Sequence, residues 1–281
     1  MKKLIVILII FVAVLPSMPT GASQLLNIST RAAVLPGEFV LIGGFIVTGS
    51  EPKKVILRAL GPSLPTGDFS PLLPDPILEL HQNDGTIVTN DDWRETQEGE
   101  ILDTGIPPPD EVESAIVATL PPGEHTVILR GKGEDQGIAL VEIYDLDQAV
   151  DSLLANISSR GLVLGGPNVM IAGVIVGPDG SSPATVVFRG LGPSLSDAGI
   201  QMPLPNPSLS VFNEDGAVIG TNEDWMDDPN AAEIAALGLG PSNNLEAAFE
   251  ATLAPGEYTA ILNNVTTLET GVGLVEAYHI E

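Results

Sequence analysis

Cysteine is absent from these 281 residues. Neither a disulfide nor a lipid-bearing cysteine can therefore hold the chain, and packing or a metal must do so. Positive charge is scarce: 11 Lys and Arg stand against 37 Asp and Glu, a formal net charge of −26. Nucleic acid and anionic membrane surfaces demand clustered cations, which makes both poor partners. Aromatic residues make up only 4%, so aliphatic side chains must build any core. The three histidines, His81, His125 and His279, are not accompanied by a nucleophile elbow. Long hydrophobic runs are missing except at the amino terminus, where Lys2 and Lys3 precede an apolar segment from Leu4 to Leu15, then Pro16, Pro19, Gly21, Ala22 and Ser23. That segment is shorter than the about 20 residues a membrane helix needs. Residues 1–23 read as a cleaved secretory signal peptide, and the mature chain is expected to be secreted or at the cell surface, with no membrane span.

What is present is a duplication. The stretch Asp84 to Trp93, DGTIVTNDDW, returns as Asp215 to Trp225, DGAVIGTNEDW. Asn27 to Arg31 (NISTR) matches Asn156 to Arg160 (NISSR), and Arg58 to Leu64 (RALGPSL) matches Arg189 to Leu195 (RGLGPSL). Leu120 to Thr126 matches Leu253 to Thr259, and Gly137 to Tyr144 matches Gly271 to Tyr278. A repeat spanning the whole mature chain is a duplicated domain, not a short solenoid period. Each copy is long enough to bury its own core. The expected domains are residues 24–147 and 151–281, with the junction near Asp147–Leu153 and too few residues there for much freedom.

Within the first copy, β-branched runs bounded by Gly, Pro and Asp predict strands near Leu25–Thr30, Phe39–Thr48, Lys53–Leu60, Ile77–His81, Thr86–Asn90, Ser114–Leu120, His125–Arg130 and Ile138–Tyr144. Short helices are expected over Trp93–Thr104 and Asn230–Leu237. The expected fold class is all-β, two tandem jelly-roll-like β-sandwiches.

The blocks NISTR, RALGPSL, NDDW, LPPGEHT and ALVEIYDLD resemble a repeat found in tandem in secreted proteins of environmental bacteria, often without an assigned activity. More distantly, the DGTIVTNDD hairpin and the ending from PPGEHTVILRG to ALVEIYDL are similar to the bacterial pre-peptidase C-terminal domain. That likeness implies a jelly-roll-like sandwich, an accessory role beside secreted enzymes and, in some members, bound calcium.

The acidic loops are the first candidate site. Asp84, Asn90, Asp91 and Asp92 in copy one, and Asp215, Asn222, Glu223 and Asp224 in copy two, offer the clustered oxygens that calcium prefers. The alternative is structural. Asp84-Gly85 and Asp215-Gly216 suit a two-residue hairpin turn with positive φ at both positions, and Asp92 with Glu95, or Asp224 with Asp227, suits a helix cap. Trp93 and Trp225 are candidate stacking platforms for a polysaccharide, or else core plugs.

The arginines give a sharper argument. Arg160 and Arg189 are the only Lys or Arg of the second copy, and they fall where the first has Arg31 and Arg58. Glu142 matches Glu276, and the expectation is a cross-strand bridge from Arg58 to Glu142 and from Arg189 to Glu276, the alternative being solvated strand faces. Ser63 and Ser194 lie in GPSL turns.

Together these features predict a non-catalytic exported module that binds a polysaccharide or a cell-surface protein. A calcium-stabilised structural spacer or envelope component is the first alternative. A carboxylate-dependent glycoside hydrolase is the second, since two acids suffice for that reaction.

Overall fold

The computed structural model describes residues 24–65, 71–178, 180–266 and 269–280; the expected signal peptide lies outside the described residues. The chain is all-β. The first copy forms β1 (Gln24–Val34), β2 (Leu41–Gly49), β3 (Lys53–Leu60), β4 (Pro76–His81), β5 (Ile87–Asn90), β6 (Ser114–Leu120), β7 (Gly123–Gly131) and β8 (Gly137–Asp145). The second forms β9 (Ser152–Val163), β10 (Met170–Gly177), β11 (Ala184–Leu191), β12 (Pro207–Asn213), β13 (Val218–Asn222), β14 (Ala247–Leu253), β15 (Gly256–Asn264) and β16 (Gly271–Ile280). Among the described residues, helices are confined to α1 (Glu98–Asp103), α2 (Ala231–Ala236) and two 3₁₀ segments at Pro193–Ala198 and Trp225–Asp227. No helix among the described residues is long and apolar enough to cross a membrane. The helix expected from Trp93 begins only at Glu98, because Trp93 itself is turned into the core.

The strands form two antiparallel paths. One runs β5-β4-β7-β2-β9-β16-β11-β14. The other runs β13-β12-β15-β10-β1-β8-β3-β6. Each path therefore crosses from one copy into the other, because β1 pairs with β10 and β9 pairs with β2. The two crossings use one register: Ser29 faces Gly173 and Arg31 faces Ile171, while Ser158 faces Gly44 and Arg160 faces Ile42. At the centre β1 and β9 lie parallel, bridged at Leu25 with Leu154 and at Ala33 with Leu162, and the Thr30 hydroxyl donates to Ser159 Oγ at 2.7 Å.

Side chains from both paths and both copies meet in one aliphatic core that includes Leu41, Phe45, Leu57, Leu78, Leu129, Val174, Phe188, Leu209 and Leu262. The burial pattern explains the strand sequences. β2 and β7 alternate buried and half-exposed residues, the period expected of a sheet with one wet face. β3 and β11 are buried on nearly every residue, because the segment around α1 or α2 covers their outer face with a second apolar cluster.

Candidate functional site

Strand register brings the charged residues together. Arg58 on β3 faces Glu142 on β8, and Arg189 on β11 faces Glu276 on β16. Arg58 Nε donates to Glu142 Oε2 at 3.0 Å and Nη2 to the same oxygen, while Nη1 reaches the Ile106 carbonyl at 2.9 Å. Arg189 repeats this with Glu276 at 2.7 Å through Nε and the Leu239 carbonyl at 2.9 Å. A tyrosine completes each brace: Tyr144 OH donates to Glu142 Oε1 and Tyr278 OH to Glu276 Oε1, both at 2.9 Å, with the guanidinium 5.2 and 5.4 Å from the ring centres. Burial alone opposes the Arg58 charge, but Glu142 and Tyr144 beside it outweigh that and hold its pKa above the ordinary value. Burial, then the neighbouring Glu276, pushes Tyr278 up to about 12. Each brace ties the outer strands to the loop that follows α1 or α2. Arg31 on β1 is buried, which lowers its pKa, and Arg160 on β9 is half-buried between Ile42 and Leu274.

A second pair of carboxyl groups escaped the sequence reading. Glu113 and Glu246 are fully buried just before β6 and β14. Glu113 Oε1 accepts from Gly61 N at 2.9 Å, Ser63 N at 3.0 Å and Ser63 Oγ at 2.6 Å. Glu246 Oε1 accepts from Gly192 N, Ser194 N and Ser194 Oγ at 2.9, 2.9 and 2.6 Å. Each pins the GPSL turn, whose glycine is required by close approach: a Cβ on Gly61 or Gly192 would lie 2.1 Å from the carbonyl oxygen of Leu73 or Leu204. The missed signal was an acid kept at the same place in both copies, directly ahead of an apolar strand.

Trp93 and Trp225 are only 2% and 8% exposed, packed over the outer faces of β3 with β6 and of β11 with β14. As stacking platforms they are thereby corrected to core plugs; Trp93 Nε1 also donates to the Asp110 carbonyl at 3.1 Å.

The proposed metal sets do not assemble as expected. Asn90 and Asn222 spend both ends of their amides on structure: Nδ2 donates to the Asp92 or Asp224 carbonyl, and Oδ1 accepts from Ala115 N or Ala248 N. Asp84 sits apart in its turn, its Oδ1 accepting from Thr86 N at 2.9 Å, which lowers its pKa. The turns themselves differ from the two-residue type. Only Gly85 and Gly216 have positive φ, at 87° and 75°, and the bonds Gly85 N to Gln82 O and Gly216 N to Asn213 O close a longer loop in which Asp84 and Asp215 keep negative φ. Neither Asp92 nor Asp224 caps a helix through its side chain; α1 starts after Gln97 and α2 after Asn230.

Asp91 and Asp92 do converge, but with Asp75 from the segment before β4, their nearest oxygens within 4.8 Å of one another. Lys132 lies against this group, 2.8 Å from Asp91 and 3.2 Å from Asp75. One buried oxygen of each carboxylate, Oδ1 of Asp75, Asp91 and Asp92, has no hydrogen-bond partner. Burial, partly offset by Lys132, raises the pKa of Asp75. The second copy has Asn206 in place of Asp75 and Val265 in place of Lys132, and its Glu223 is exposed; among the described residues only the first copy gathers three acids.

No family model and no curated protein matches this chain. Among solved structures, a DUF4785 family protein from Legionella pneumophila aligns over 95% of this chain and 89% of its own at 9% identity, with a TM-score of 0.22. A chain of Sulfolobus Turreted Icosahedral Virus aligns over 91% and 90% at 8% identity and a TM-score of 0.24, and PNGF-II over 94% and 58% at 9% identity and a TM-score of 0.19. At these scores the likenesses assign neither family nor activity.

Proposed function

We propose that this chain is an exported, non-catalytic structural spacer, two jelly-roll-like sandwiches fused through both of their sheets and stiffened by calcium at Asp75, Asp91 and Asp92. The observation that carries the reading is the passage of both strand paths through both copies, which gives the pair no hinge at the β1–β10 and β2–β9 crossings. Burial of Trp93 and Trp225 removes the platforms on which a polysaccharide-binding role rested. The calcium part is supported by three converging carboxylates, each with a buried oxygen that has no hydrogen-bond partner, the donor type calcium prefers.

Calorimetric unfolding of the mature protein in EGTA and then in millimolar calcium tests both parts. The spacer reading requires a single transition for the whole molecule; two separable transitions would refute it. Calcium at 100 times its dissociation constant adds about 2.7 kcal/mol to the folded state. The resulting rise in melting temperature should vanish in Asp92→Ala and persist in Asp224→Ala. If wild type shows no rise, Lys132 alone is the counter-ion of the cluster and the calcium part fails.

A further inference from the structure

Lys53 at the start of β3 and Asp145 at the end of β8 form a fully buried ion pair. Both side chains are 0% exposed, and Lys53 Nζ lies 2.9 Å from Asp145 Oδ2. The remaining contacts aim the two groups at each other. Lys53 Nζ also donates to the Asp147 carbonyl at 2.7 Å, and Asp145 Oδ1 accepts from Asp147 N at 2.8 Å. β3 and β8 are paired neighbours, with Val55 opposite Asp145, so both backbones are held while the side chains meet. The second copy has neither partner: Ala184 stands where the first has Lys53 and His279 where it has Asp145. The two residues are thus present together in one copy and absent together in the other, as a pair that acts as a unit requires.

A fully buried ion pair is a costly way to join two strands, because desolvation of both charges offsets much of their attraction. Condensation would remove both charges. We propose that Lys53 and Asp145 form an intramolecular isopeptide bond in the folded protein. Proton transfer within the pair gives a neutral amine and a carboxylic acid. The Nζ lone pair adds to Cγ, the Nζ–Cγ bond forms, the Cγ–OH bond breaks, and the hydroxyl leaves with one amine proton as water. No oxidant or co-reactant takes part. Burial pushes the Asp145 carboxyl above its ordinary pKa, which favours the acid form the step uses. Amide formation is opposed in bulk water, but two groups fixed in contact act at effective concentrations of about 10⁵–10⁸ M. The product is a covalent tie across 92 residues of a chain that has no cysteine.

Mass spectrometry of the intact purified protein in denaturant provides the test. Wild type should be lighter than its sequence by the mass of one water, and proteolytic fragments should place the deficit in a branched peptide carrying both Lys53 and Asp145. The Lys53→Arg variant, which keeps the charge, should show its full mass, and Asp145→Asn should lose ammonia instead of water. Wild type at full sequence mass would overturn the proposal. So would a deficit mapped to any other peptide, and neither readout depends on the variants folding.

Discussion

Removing the Glu113 carboxyl should cost more than any change on the exposed surface, and the cost follows from its partners. In Glu113→Ala the donors Gly61 N, Ser63 N and Asp110 N lose their acceptor, while the Ser63 hydroxyl can rotate toward another. Three orphaned backbone donors at about 1–3 kcal/mol each give about 3–9 kcal/mol. Glu113→Gln keeps Oε1 but turns an amide toward Asp110 N, which now donates to Oε2 at 3.2 Å. That clash of two donors should cost about 1–3 kcal/mol. Glu246 supplies the control, because its Oε2 has no partner. Glu246→Gln therefore meets no opposing donor and should cost less than Glu113→Gln. Equilibrium urea unfolding of the three variants reads the differences, provided the slopes agree. A loss below about 1 kcal/mol for Glu113→Ala, or the reverse order for the two Gln variants, would refute the pinning argument.

Arg58→Met should cost about 3–5 kcal/mol, because it leaves the buried Glu142 without its cation; the same unfolding assay checks it, and a neutral result would mean that water reaches Glu142. All three tyrosines, Tyr144, Tyr258 and Tyr278, have pKa values raised first by burial. Tyr278 in the folded state lies at about 12 against an ordinary 10.0, so its neutral form stabilises the fold fully below pH 10 and that contribution is lost as pH rises through 12. Ultraviolet titration of the phenolate should show no tyrosine ionising at its ordinary pKa while the protein stays folded, and ionisation of Tyr144 or Tyr278 there would contradict the buried braces.

Strands were legible because β-branched runs end at Gly, Pro and Asp: Lys53–Leu60 and Ser114–Leu120 form with the ends expected. The retained arginines pointed to Glu142 and Glu276 because a charge on a covered strand needs a partner. Other features depend on what lies across space. Asp75 sits far in sequence from Asp91 and Asp92, and only the β4–β5 pairing brings it to them. Asn90 reads as a metal ligand in a row of acids, yet a buried Ala115 N–H claims its oxygen. Trp93 stands among polar residues in sequence, but α1 folds over it. The crossing of β1 and β9 had no local signal at all, since a first strand pairs equally well with either copy's second.

That crossing changes how stability depends on concentration. The β1–β10 and β9–β2 contacts are one contact seen from each side, the isologous arrangement of a two-fold dimer. A chain with a single copy would satisfy β1 and β2 only by meeting another molecule, and dilution would dissolve the pair. Joined through the short segment after Asp145, the same contact is made within one molecule and is indifferent to dilution. However dilute the protein, the tandem copy preserves a dimer-like interface where free partners would be lost.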